Sequence, residues 1–125
     1  MQSLVLNLFV AAILIGCGRR TNCPIVSNNS LEKRLADIHA LIDSGNCNTE
    51  EQCQYIAYGK KACGGPSGYL IFSGNIDVGK LKKLVNEYSL AEDIYNKENQ
   101  ITSDCSIPNP PQKMKCEGGN LHKVK

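Results

Sequence analysis

The sequence predicts a small disulfide-stabilised α+β domain, with two helices packed on a small antiparallel sheet. Three observations carry that prediction. Apolar residues recur at helical spacing in two separate stretches, around 31–42 and 81–88. Between and after them lie short β-prone runs bounded by glycine and proline. The chain also holds seven cysteines in 125 residues, and none has the Cys-x-x-Cys spacing of a zinc knuckle or a thioredoxin-like redox site.

The chain opens on an apolar run, Leu4 to Ile15, interrupted only by Asn7. It is far shorter than the ~20 residues that cross a bilayer, and it reads as the hydrophobic region of a signal peptide. Met1-Gln2-Ser3 before it lacks the usual Lys or Arg. At its end stand Leu14-Ile15-Gly16-Cys17, which resemble the lipobox of bacterial lipoproteins. The resemblance implies a diacylglyceryl group on the Cys17 thiol, cleavage just before it and acylation of the new amino group. Residues 1–16 are then the signal peptide, 17–28 a lipid-anchored tether and 29–125 a single domain. Gly18 stands where Asp would signal inner-membrane retention, so the resemblance favours the outer membrane. The competing interpretation, an ordinary secretory peptide with Cys17 in a disulfide, finds no good small-x-small site at Ala11-Ala12-Ile13. Lipidation also leaves six cysteines, an even set for an oxidising compartment.

Gly18 to Ser27 is polar, contains Cys23 and Pro24, and shows no periodicity, as expected of a tether. Arg19-Arg20 beside the anchor are more simply a solvated linker than a headgroup contact. Asn29 and Glu32 are placed for helix capping, and Leu31, Leu35, Ile38, Leu41 and Ile42 follow at helical spacing until Gly45. Gln54 to Lys60 and Tyr69 to Ser73 read as strands joined by Cys63-Gly64-Gly65-Pro66-Ser67-Gly68. A second helix is expected from about Asp77, with Leu81, Leu84, Val85 and Tyr88 on one face. Ser89 and Glu92 form an S-x-x-E box able to restart it towards Asn96. After Pro108-Asn109-Pro110-Pro111, the runs Lys113 to Cys116 and Leu121 to Val124 flank Glu117-Gly118-Gly119-Asn120 and predict a hairpin.

A mature chain from Cys17 has roughly 110 residues, enough for one modest core that disulfides would reinforce. With a formal charge of +2 and basic pairs not interleaved with aromatics, nucleic acid is not an expected partner. Cys23, Cys47, Cys53, Cys63, Cys105 and Cys116 are the disulfide candidates, with 15 possible connectivities. Local closure favours Cys53 with Cys63 and Cys105 with Cys116.

No cofactor or metal is implied, because His39 and His122 have no suitably spaced cysteines. Gly64, Gly65, Pro66, Ser67 and Gly68 are candidates for a binding loop. They lack the phosphate-cradling G-x-x-x-x-G-K-[ST] pattern. Glu50-Glu51 and Glu92-Asp93 are adjacent carboxylates on expected solvent faces and argue weakly for acid/base chemistry. Cys63 as a nucleophile, with the following glycine amides for an oxyanion and His39 or His122 as base, is the alternative enzymatic interpretation.

The run Cys53 … Tyr58-Gly59-Lys60-Lys61-Ala62-Cys63-Gly64-Gly65-Pro66 … Tyr69 … Ser73, with its following helix and Cys105 to Cys116 tail, is similar to small exported bacterial proteins with a Cys-Gly-Gly-Pro core. That similarity covers about Cys47 to Cys116 and implies fold and export, with no catalytic residue to transfer. In that group a further cysteine commonly closes the terminal hairpin. Here the region reads Asn120-Leu121-His122, and Cys23 stands as the alternative sixth thiol. The expected function is a non-catalytic, membrane-anchored envelope module, binding or inhibitor-like, whose partner is an envelope protein or a cell-wall component. A small thiol enzyme and a purely structural lipoprotein are the alternatives.

Overall fold

The computed structural model describes residues 25–124; the expected signal peptide, Cys17 and Cys23 lie outside the described residues. In chain order come α1 (Asn28–Asp43), a 3-10 turn (Glu50–Gln52), β1 (Cys53–Tyr58), β2 (Gly68–Ser73), α2 (Val78–Glu98), β3 (Lys113–Glu117) and β4 (Asn120–Val124). The predicted α+β class is what forms, as two helices with two antiparallel two-stranded sheets, β1-β2 and β3-β4.

α1 starts where Ser27 Oγ accepts the Ser30 N–H at 3.2 Å, not at the expected Asn29. Val26 already packs against the core, which places Ser27 at the entry. Asn28 Nδ2 instead donates to Glu32 Oε1 at 2.6 Å across the first turn. Val26 to Asn28 thus belong to the fold and not to the tether. Leu31 and Ile38 are buried, and Leu35, Leu41 and Ile42 flank them, as the periodicity requires.

The β1-β2 ladder pairs Cys53 with Ser73 and Tyr58 with Gly68. Strand alternation sends Ile56, Tyr58, Leu70 and Phe72 to the helices. On the other face Tyr55 and Tyr69 meet edge-on, their rings 5.7 Å apart.

α2 is capped by Asp77 Oδ1, which accepts the Lys80 N–H at 2.9 Å. It runs unbroken for 21 residues, so Ser89 and Glu92 do not restart a helix. Leu81, Val85, Tyr88 and Ala91 form its buried stripe. The helices are antiparallel. Asn28, Leu31 and Leu35 lie beside Tyr88 and Tyr95 at one end, and Leu41 and Ser44 lie beside Lys80 and Leu84 at the other. No helix among the described residues is long and apolar enough to cross a membrane.

The β3-β4 hairpin turns at Gly118 and Gly119, with φ of 59° and 82°. Two consecutive positive φ values are what a two-residue turn of this hand demands, and glycine supplies them without steric cost.

Cys47 bonds Cys116 and Cys63 bonds Cys105; the local pairs Cys53–Cys63 and Cys105–Cys116 do not form. Cys53 sits at the far end of β1 from the Cys63 loop, and β3 carries Cys116 away from Cys105 to the end of α1. Cys47 is 2% exposed, whereas Cys63 and Cys105 lie on the surface.

The two bonds should therefore differ in role. The pair Cys47→Ala and Cys116→Ala is expected to lower unfolding free energy by about 2–5 kcal/mol and to abolish amide protection in β3-β4. Removing Cys63–Cys105 should loosen 101–112 and leave the hairpin protected. Hydrogen exchange on both variants, with denaturant titration, checks this.

Candidate functional site

A groove of about 410 Å³ lies among three separate elements. His39, Ile42 and Asp43 of α1 form one wall, Asn120, Leu121 and Lys123 of β4 form the other, and β2 at Tyr69 to Ile71 is its floor.

That floor is a strand edge. The β1-β2 ladder continues through the Gly74 N–H to Gln52 O bond at 2.9 Å, so the even-numbered β2 residues bond to β1. The backbone groups of Tyr69 and Ile71 consequently point the other way, into the groove. Lys123 Nζ donates to the Tyr69 carbonyl at 2.8 Å. The Ile71 N–H and C=O receive no such partner among the described residues. At the far end Ser73 Oγ and Asn75 Nδ2 both donate to the Asn46 carbonyl, at 2.8 and 2.7 Å, and close the groove.

None of the binding-loop candidates lines this groove. Gly64 and Gly65 form an exposed tip with φ of 92° and 77°. Ser67 is committed inward, its hydroxyl donating to Glu92 Oε2 at 2.7 Å. Glu92 also accepts the Lys60 N–H at 2.5 Å and the Tyr88 hydroxyl at 3.4 Å. Ser89 Oγ accepts the Gly59 N–H at 2.9 Å and donates to the Val85 carbonyl at 2.8 Å. Asn96 Nδ2 reaches the Lys60 carbonyl at 2.7 Å. The S-x-x-E motif is thus a clamp that holds the loop after β1 to the flank of α2. Gly59 fits because its φ is 77° and a side chain there would strike Glu92 and Ser67. Burial first, then the nearby Glu92 and Tyr58, push the Tyr88 hydroxyl up to about 12, so it stays a donor.

A second polar clamp ties the tail to the same loop. Lys61 Nζ meets Asp104 Oδ1 at 2.8 Å, the Ser106 carbonyl at 2.7 Å and the Ser106 hydroxyl at 2.9 Å. The Lys61 hydrogen bond, helped by the Ser106 N–H and hydroxyl, draws the Asp104 carboxyl down to about 2.

The sulfur of Cys63 is bonded to Cys105, so the nucleophile interpretation lacks its thiolate in this structure. His39 lies in the groove wall and His122 on β4, and no cluster of three potential metal ligands occurs among the described residues. Cys53 is the unpaired cysteine among those residues. Burial and the Glu50 carboxylate push its thiol pKa up. It sits opposite Ser73, at the C-terminal end of α1, and that helix is about 24 Å long.

With the geometry established, comparison of the chain with protein-family models, with curated proteins and with solved structures gives no match in any of the three.

Alkylation of the unreduced protein followed by peptide mapping should label Cys53 and leave Cys63 unmodified. Labelling should quicken as pH rises towards the raised thiol pKa, since the thiolate is the reacting form. A modified Cys63 would contradict the pairing. For Asp104 the folded pKa lies below the unfolded 3.8. Its clamp is therefore fully present above that value and is lost as pH falls through about 2. Side-chain NMR titration should show this midpoint, and Lys61→Met should return it towards 3.8.

Proposed function

We propose that the chain is a lipid-anchored envelope module that binds an extended segment of another protein in the groove between α1, β2 and β4, without acting on it chemically. The anchor is the acylated Cys17, and Gly18 beside it favours the outer membrane.

The single observation behind the binding role is the unpaired edge of β2. A strand edge that offers a free N–H and C=O is a template for one more strand, and apolar neighbours read the side chains of that strand. Ile42 and Leu121 flank the edge on opposite walls. Lys123 protects it at Tyr69, as lysines commonly blunt exposed edges, and an incoming strand would take its place. The Cys47–Cys116 disulfide keeps both walls in position before a partner arrives, which lowers the ordering cost of association.

Placing a photo-reactive phenylalanine analogue at Tyr69 of the lipidated protein in cells tests this interpretation. One discrete protein adduct is expected at that position and none at Lys33 on the exposed face of α1. Ile71→Pro removes the outward N–H while sparing the bonds to β1, and it should reduce the adduct at least about tenfold, the effect of losing about 1.4 kcal/mol. Equal adducts at both positions, or an adduct indifferent to Ile71→Pro in a folded variant, would refute the groove as the binding site.

A further inference from the structure

A second surface lies at the opposite end of α1. Ile25 is 87% exposed, Leu90 57% and Ile94 37%, and all three line one open groove, with Arg34 and Glu87 at its rim. Leu90 and Ile94 are one turn apart on α2, on the side turned away from the buried stripe of Leu81, Val85 and Tyr88. Scattered exposed aliphatics need no explanation, but three that converge, one from the segment before α1 and two from α2, form a patch.

The covalent path to this patch identifies its occupant. Ile25 is both part of the patch and the residue at which the chain arrives from the expected anchor. Cys17 stands eight positions earlier, so acyl chains on it lie at most about 26 Å away along the chain. A bilayer surface is therefore always within reach, at an effective concentration of order millimolar. Under those conditions even a small apolar patch, too weak to hold a free protein on lipid, stays engaged.

We propose that the Ile25–Leu90–Ile94 groove is a lipid-docking face. The three aliphatic side chains seat in the boundary between headgroups and acyl chains, and Arg34 at the rim meets a headgroup phosphate. The inference rests on the reading of Cys17 as the acylated residue. A second copy of the chain is the competing occupant. A stable protein interface buries about 800 Å² per partner, and three aliphatics between Arg34 and Glu87 make a small centre for one. From Arg34 to Asp43 α1 climbs about 14 Å, so docking here turns the β2-edge groove away from the bilayer.

The chain has no tryptophan, so Leu90→Trp and, separately, Tyr55→Trp each create a single reporter. The proteins, extracted from the membranes of cells expressing the full-length chain, are placed in phosphatidylethanolamine–phosphatidylglycerol vesicles, with or without bromine on the upper acyl carbons. The Trp at position 90 is expected to lose roughly half its emission in brominated vesicles, and the Trp at 55 should be unchanged, because apolar faces that dock this way sink about 5–10 Å. Adding Ile25→Asp should restore the emission. Intact mass of the same samples reads the anchor separately. Acyl chains on Cys17 with no quenching at position 90 overturn the docking face and leave the anchor standing. Quenching without acyl chains overturns the anchor and supports a face that holds lipid unaided, and absence of both overturns the anchor together with the tethered docking that rests on it. A blue shift at position 90 that follows protein concentration without vesicles assigns the patch to a second copy and overturns lipid docking.

Discussion

The Cys47–Cys116 bond is the constraint on which the arrangement of the molecule depends. A lone two-stranded hairpin is at best marginally stable in water, and β3-β4 brings little packing of its own. Its attachments are the buried disulfide, the Cys47 N–H to Gly119 carbonyl bond at 3.3 Å and the reach of Lys123 to Tyr69. Cys47 lies just beyond α1, beside Asn46, whose carbonyl gathers Ser73 and Asn75. The bond therefore fixes the hairpin relative to α1 and β2 together, and the groove between them exists because of it. The loop it closes is long, with a separation of 69 residues, which is where a crosslink removes most disorder from the unfolded chain.

Away from that junction the chain relies on polar clamps. The core of Leu31, Ile38, Phe72, Leu81, Val85, Tyr88 and Ala91 does not extend under the loop at 59–67 or the irregular stretch at 101–112. Ser89, Glu92 and Asn96 hold the first, and Lys61 holds the second to the first. A half-buried carboxylate such as Glu92 is costly unless its oxygens are well satisfied. It accepts one backbone N–H and two hydroxyls, so its cost is offset locally. The exposed pairs Lys33–Asp37 and Lys97–Asp93 contribute little by comparison, since solvent screens them.

The features legible in the sequence were those written in local patterns. Leu31, Leu35, Ile38, Leu41 and Ile42 encode α1 through their spacing, Asp77 marks the start of α2, and Gly118-Gly119 marks the last turn. Cysteine pairing was not legible, because Cys47 and Cys116 are brought together by the packing of distant elements. Ser89-x-x-Glu92 left one helix or two open, because the residues that cap a helix start also serve, in mid-helix, to hold a neighbouring loop. The β2 groove left no sequence signal. Its floor is backbone, which every residue carries, and its walls come from segments some eighty positions apart.

The free edge of β2 also limits what kind of binding the groove can support. With Tyr69 partly blocked by Lys123, an added strand gains two or three backbone hydrogen bonds, each worth about 1 kcal/mol net. That sum falls short of the roughly 4 kcal/mol that corresponds to a millimolar dissociation constant. Apolar side chains seated between Ile42 and Leu121 must supply the remainder, or the partner must share the membrane so that encounter becomes two-dimensional. The proposed geometry favours the second route as well as the first. A domain held by Cys17 and seated through Ile25, Leu90 and Ile94 would lift its groove only about one or two nanometres above the lipid along α1, within reach of an extended segment of a neighbouring membrane-bound protein. Affinity measured with a detached peptide would then underestimate the interaction, because the membrane itself provides part of the effective concentration.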